Sequence, residues 1–367
     1  MNILVPICLL FSFACLVSRH NRKLTKQIFT LFFLFLLLFL SVRFGFGPDY
    51  YNYWNIFDSI QGADVSNHKG YGSSVEPMFL YYMQLFPNYS SFIAFNSLIF
   101  VAILYILYKR FVDYNVYWYI ILFLLLDPNS ITGVAVAMRS SLCMLIFLIA
   151  FAVLNSGIKY SRIIYCVLII TASLFHTSSI FFILFVLLNK NNVGILYSKV
   201  FVVCIITISI LIVITGYNAI LDNILNLLLS SVEDFEKYEG YEIGTTSSFT
   251  ALLYRIVSAS ILIYLVWAAR KDNDMNYRLI YKFGIIAISL QLFMGQSIIS
   301  DRFLMYLNPL YIIAITRGSK FISKPLSCLI MFLVIAIPSY ILLTKMGKDY
   351  AESFLEYQTI FSAPYIP

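Results

Sequence analysis

Between Ile28 and Val42 the chain runs fifteen residues without a charge, and similar apolar runs recur along its length. That recurrence restricts the fold more than any motif does. A helix needs about 20 mainly apolar residues to cross a hydrocarbon core of about 30 Å, where no water can satisfy an open backbone. Strands of a membrane barrel would alternate in hydrophobicity, and these runs do not. The chain therefore reads as an all-α, polytopic integral membrane protein. Its charged fraction is 12%, against about a quarter in an ordinary soluble domain.

Spans are expected at about 3–18, 27–42, 91–108, 115–127, 131–154, 161–175, 177–189, 199–216, 250–268, 280–299, 303–317 and 325–343, which makes about twelve. Two long loops interrupt them, at about 43–90 and 216–249. The first contains an apolar piece, Met78 to Phe86, that is too short to span and suits an interfacial or re-entrant helix. The second contains the acidic and aromatic run Glu233 to Glu242, which reads as a solvated loop. There is no internal repeat or low-complexity linker, so residues 1–367 read as one transmembrane domain. The first apolar segment lacks a basic leader and a small-residue cleavage site, and reads as a retained helix.

Lysine and arginine fix the orientation, because they favour cytoplasmic loops. Alternate loops hold Arg19, Arg22, Lys23 and Lys26; Lys109 and Arg110; Lys159 and Arg162; Lys190 and Lys199; Arg270, Lys271, Arg278 and Lys282; and Arg317, Lys320 and Lys324. That is seventeen of the 25 basic residues. Both termini and both long loops then lie outside. The net charge of +7 follows from this distribution, so it gives no support to a nucleic-acid partner. The six cysteines, Cys8, Cys15, Cys143, Cys166, Cys204 and Cys328, sit in apolar runs without paired spacing and read as small core residues.

Four arginines break the orientation rule at span edges. An arginine at the bilayer centre costs about 2.5–3.5 kcal/mol on insertion scales, so each needs a snorkelling path or a partner. Arg43 ends the second span, Arg139 lies inside the fifth, Arg255 begins the ninth, and Arg302 follows Asp301 between two spans. On the same face fall Asp49, in the turn sequence Gly47-Pro48-Asp49, and Glu76, which precedes Pro77 and the short apolar helix whose N-terminus it could favour. His176, in SLFHTSSI, also lies there, between two apolar segments. Arg43, Arg139, Arg302, Asp49, Glu76 and His176 together suit a multiply charged anion, because planar guanidinium groups hold phosphate oxygens bidentately. Diphosphate is the obvious candidate. Tyr50, Tyr51, Tyr53 and Trp54 add flat rings with polar tips that fit sugar faces, and Tyr306 lies beside Arg302 in sequence. An interfacial aromatic belt accounts for the same rings.

The stretch RFGFGPDYYNYWNIF from Arg43, followed by Glu76-Pro77, Arg139, the histidine of FHTSSI and DRFLMY from Asp301, resembles the EpsG-like family of bacterial polysaccharide polymerases, which includes Wzy-type O-antigen and capsule polymerases. The resemblance extends from about residue 28 to residue 317. It implies a membrane glycosyltransferase, without a cofactor or metal, in the bacterial inner membrane with a periplasmic active face. The implied substrates are undecaprenyl-diphosphate-linked oligosaccharides: the growing glycan would leave one lipid diphosphate and join the non-reducing end of another unit. A chain-length regulator is a conceivable protein partner. In that chemistry Arg43, Arg139, Arg302 and Arg255 would face the diphosphate, and Tyr50, Tyr53 and Tyr306 the sugars. Asp49 or Glu76 would take the acceptor proton, with His176 as the other candidate. The Asp272-Asn-Asp274 pattern falls in a loop assigned to the cytoplasm and reads as solvated. Three other classes remain open: a flippase for the lipid-linked oligosaccharide or an anion carrier, a membrane acyltransferase or ligase of surface glycans, and a non-catalytic assembly partner. A transporter would be expected to show inverted repeats and a charged path to the inner face.

Overall fold

The uncharged run from Ile28 lies in one helix, Arg22–Ser41. Phe29, Phe32, Leu36 and Leu40 pack inward on one side, while Leu31, Leu34 and Leu38 on the other are each at least 53% exposed. A helix that is apolar on its packed and its open side alike suits hydrocarbon as the surrounding medium. A computed structural model describes residues 4–47, 49–62, 75–126, 130, 137–188, 194–215, 248–294, 298–345 and 358–361.

The described residues are almost wholly helical. In chain order the first helices are α1 (Leu4–Val17), α2 (Arg22–Ser41), α3 (Tyr50–Ile60), α4 (Pro77–Gln84), α5 (Tyr89–Phe111), α6 (Tyr117–Leu126), α7 (Met138–Ser156) and α8 (Ser161–Phe175). A 3-10 segment, Thr177–Leu187, follows, and then come α9 (Lys199–Thr215), α10 (Ser248–Lys271), α11 (Met275–Met294), α12 (Ile298–Gly318) and α13 (Lys324–Lys345). Two short strands, β1 (Arg43–Phe44) and β2 (Gln358–Thr359), form an antiparallel pair.

Each expected span coincides with a helical element, but their lengths differ. Among the described residues, α2, α5 and α7 are long and apolar enough to cross a membrane. At 10 residues, α6 is about 15 Å long at 1.5 Å per residue, half the hydrocarbon thickness. The described residues thus bear out an all-α membrane architecture with three full-length candidates and several shorter apolar helices, and they do not fix the expected count of about twelve spans. The interior of the first expected loop (63–74) and most of the second (216–247), with its acidic run, lie outside the described residues, as do the side chains of Asp301 and Arg302.

The chain divides into two compact units, Met1–Leu187 with Val334–Pro367, and Leu188–Leu333. In the first, α1 packs on α2 and α6, α2 on α5, α5 on α7 and α7 on α8. The short helix α4 packs on α3 and α8. That packing brings the segment before Pro77 to the end of α8, where His176 stands.

In the second unit α11 packs against α9, α10 and α12. Gly284 permits the approach of α12, since a Cβ there would sit 2.9 Å from the Ala314 Cβ. Arg255, the presumed anion ligand of α10, is buried and donates from Nη1 to the Ser209 carbonyl of α9 at 2.6 Å. This contact ties two helices together through a desolvated charge.

Cys8, Cys15 and Cys143 are buried, as read from the sequence, but Cys204 and Cys328 are exposed. Small apolar side chains on a helix in hydrocarbon need not face the protein core.

Candidate active site

Glu76 is the junction of the site. It precedes Pro77 at the start of α4, where proline's missing N–H costs nothing. Its carboxylate makes no cap to its own helix. Oε2 accepts from Arg139 Nη1 at 2.7 Å. Oε1 lies 3.0 Å from His176 Nδ1 and accepts from the Thr177 backbone N–H at 3.1 Å and the Thr177 hydroxyl at 3.3 Å. The sequence suggested that Glu76 favours the N-terminus of the helix it precedes. The helix it serves instead is the 3-10 segment beginning at Thr177, because the packing of α4 on α8 carries the acid to that open N–H.

Each partner is delivered by a helix end. Arg139 is the second residue of α7. His176 caps α8 in an extended conformation, with its N–H on the Ala172 carbonyl at 3.0 Å. An extended residue between α8 and the 3-10 segment turns both the imidazole and the Thr177 N–H toward Glu76. Burial alone would raise the Glu76 pKa, but the His176 hydrogen bond and the positive charge of Arg139 outweigh it and hold the carboxyl well below the usual range. An ionised carboxylate only accepts, so His176 Nδ1 must carry the proton in this contact.

The cluster extends through tyrosines toward Asp49 and Arg43. Tyr53 is buried, and Arg139 and Asp49 act on it electrostatically. Burial raises the Tyr53 pKa, and Arg139 opposes that rise. Tyr89 senses Arg43, Tyr50, Tyr53 and Asp49, and its hydroxyl donates to the Tyr50 carbonyl at 3.1 Å. Asp49 is half-buried and stands at the N-cap of α3 without a side-chain cap bond.

Arg43 is 3% exposed, and its Nη1 donates to the Leu40 carbonyl at 3.0 Å and to Ser97 Oγ at 3.3 Å. Its charge also reaches Tyr50 and Tyr89. Arg139 and His176 thus meet at Glu76, and Arg43 and Asp49, in the same unit, act on tyrosines near them. Arg255, Arg302 and Tyr306 belong to the second unit.

The rings expected to meet sugar are arranged differently from the sequence reading. Tyr50 and Tyr53 are 1% and 7% exposed, and Tyr306 is 1% exposed, so none offers an open face. Helical spacing of three and four places Tyr50, Tyr53 and Phe57 on the packed side of α3. Tyr51, next in sequence but 48% exposed, is the ring of that run left open.

A second polar group lies in the other unit. Asp272, read as a solvated loop residue, is 5% exposed. Its Oδ2 accepts from Arg317 Nε at 2.7 Å and from the Tyr281 hydroxyl at 3.3 Å, and its Oδ1 accepts from the Asp274 N–H at 3.0 Å. Burial pushes its pKa up, but the Arg317 bond prevails and holds it below the ordinary value. The Arg317 guanidinium also lies 4.0 Å from the Tyr277 ring centroid. A buried knot joins the α10–α11 turn to the end of α12 because Arg317, 45 residues on, folds back over it. Among the described residues, no group of three or more His, Cys, Asp or Glu side chains could hold a metal ion.

Sequence reading missed Thr177, Ser97 and Tyr89. Thr177 had a usable signal, since a threonine opening an apolar helical run often marks a helix start. Ser97 and Tyr89 had none, being ordinary residues of α5. The EpsG family model matches residues 26–359. No curated protein and no solved structure matches the chain.

Proposed function

The chain belongs to the EpsG family, and from that membership and the cluster around Glu76 we propose that it polymerises lipid-linked oligosaccharides at the outer face of the cytoplasmic membrane. In this reading the donor is a growing glycan on undecaprenyl diphosphate and the acceptor is the non-reducing end of a second lipid-linked unit. The acceptor oxygen forms a new bond to the anomeric carbon and gives up its proton. The bond from that carbon to the diphosphate breaks, and its electron pair leaves with the diphosphate.

Negative charge grows on the departing diphosphate, so guanidinium groups already in place stabilise the transition state more than the ground state. Arg139 suits that contact. Glu76 holds one arm of its fork, while 20% of its side chain stays open. Arg43 is enclosed and acts from behind Tyr50 and Tyr89 as a fixed positive charge. Arg255, by contrast, is engaged in joining α9 and α10.

A general base should titrate near the working pH. Glu76 is held ionised by its donors, which makes it a positioning group for Arg139 and His176. Asp49, half-buried beside Tyr53 and Tyr89, is the better-placed carboxylate for the acceptor proton.

The observation that carries this reading is the convergence of Arg139 and His176 on the Glu76 carboxylate from separate helix ends. Arg139→Ala and Arg139→Lys, each checked for insertion, test it by the surface-glycan ladder. Loss of the ladder with single repeat units retained supports polymerisation. Loss of the single units as well points to a flippase, and a normal ladder ends the assignment of Arg139. Lysine keeps the charge but lacks the planar fork, so Arg139→Lys is expected to behave like alanine.

A further inference from the structure

The C-terminal strand is the remaining feature that touches the site without a role. The chain leaves α2 at Ser41, is extended for Arg43 and Phe44, and turns at Gly45, whose φ is +62°. A Cβ at Gly45 would lie 2.8 Å from the Tyr51 hydroxyl, so the turn is tightly confined. Arg43 and Phe44 are both buried, and buried main-chain groups need partners. Those partners come from the other end of the sequence. Arg43 pairs with Thr359 and Phe44 with Gln358, and the Ile360 N–H donates to the Val42 carbonyl at 3.0 Å. The family match ends at residue 359, on this strand.

We propose that the strand Gln358–Thr359 with Ile360 is a positioning element of the active site, a splint that holds the Arg43 turn so that Arg43 stays fixed behind Tyr50 and Tyr89. It rests on the polymerase reading for its catalytic consequence, but not for the pairing itself. A two-strand pair is marginal alone, so the splint depends on the buried turn it serves and the turn depends on the splint. Helix α2 fixes one side of the turn, the strand pair fixes the other, and Arg43 lies between two anchored segments. Residues distant in sequence would thereby set the direction of a charge that acts on Tyr50 and Tyr89.

The test uses full-length protein in membranes, supplied with lipid-linked oligosaccharide extracted from a strain lacking this gene. Ile360→Pro removes the N–H to Val42, whereas Ile360→Ala keeps it. Ile360→Pro is expected to raise the half-saturating substrate concentration about threefold to tenfold, the effect of about one backbone hydrogen bond. Ile360→Ala should stay at the wild-type value. Arg43→Ala should raise it too, and the double variant Arg43→Ala, Ile360→Pro should be no worse than Arg43→Ala. Phe44→Cys with Gln358→Cys should form a disulfide, since paired strand positions lie within reach of one, and the cross-linked protein should remain active. Failure of the cross-link overturns the splint by itself, even if Ile360→Pro fails to fold. Wild-type kinetics for Ile360→Pro, or losses that multiply in the double variant, overturn its link to Arg43. A normal Arg43→Ala instead removes Arg43 from the reaction.

Discussion

Replacing Glu76 by glutamine isolates what its charge does, because shape and volume barely change. The carboxylate now accepts from four donors on two oxygens: Arg139 on Oε2, and His176 and two groups of Thr177 on Oε1. An amide replaces one oxygen with a donor. If the NH2 takes the Oε2 position it faces the Arg139 guanidinium, and if it takes the Oε1 position it faces the Thr177 N–H. Either orientation sets donor against donor. One hydrogen bond to a charged group contributes about 1.5–3 kcal/mol. Glu76 and Arg139 have side-chain exposures of only 12% and 20%, so water recovers little of the loss. The expected destabilisation is about 2–3 kcal/mol, a fall in melting temperature of about 5 °C for a unit of this size. Glu76→Asp keeps the charge on a shorter arm and should lose less. The pH dependence has a definite sign. The folded pKa of Glu76 lies below its ordinary 4.5, so its contribution is complete above that value and declines as acid approaches the folded pKa. In detergent the titration of Glu76 itself should therefore add no pH dependence to the stability gap between wild type and Glu76→Gln from pH 6 to 8, about two pH units, and should narrow the gap only in stronger acid. Thermal unfolding of both proteins across that range is the assay. A Glu76→Gln protein with unchanged melting temperature and an intact glycan ladder would show that Arg139 and His176 do not depend on this carboxylate.

Asp49→Asn should lower the polymerisation rate by about 10²–10⁴ in protein checked for membrane insertion, as expected for loss of a general base; wild-type turnover would return the base assignment to Glu76 or His176. Asp272→Asn should destabilise the second unit by about 1.5–3 kcal/mol, because half-buried Arg317 loses its nearest counter-charge and keeps only Asp274 at 3.4 Å, and thermal unfolding of purified protein measures it. Gly284→Ala should cost about 1–3 kcal/mol by forcing α11 and α12 apart, seen as a lower melting temperature or reduced membrane yield.

The sequence by itself determined the class of protein, because runs such as Ile28 to Val42 leave the helix as the only structure that satisfies their backbone in hydrocarbon. It marked Arg139, Glu76 and His176 for the same kind of reason, since charge beside apolar segments is costly and demands an explanation. It did not say that Glu76 would be the acid locked by donors from two other segments. Glu76 meets His176 across 100 residues and Arg139 across 63, and no local pattern carries a pairing over such distances. That choice follows from α4 packing on α8. Nor could composition separate Tyr51, which stays open, from Tyr50 and Tyr53, which are enclosed. All three are equally suited to a membrane edge, and only the direction in which α3 is packed decides between them. Asp272 shows the same limit from the other side: a loop acid by sequence, it becomes buried once Arg317 folds over it. The strand at residue 358 gave no signal at all, since two residues have no period, and its meaning comes from the buried turn at the opposite end of the chain. Local sequence sets what each segment requires of its surroundings, and the packing of distant segments decides which group meets the requirement.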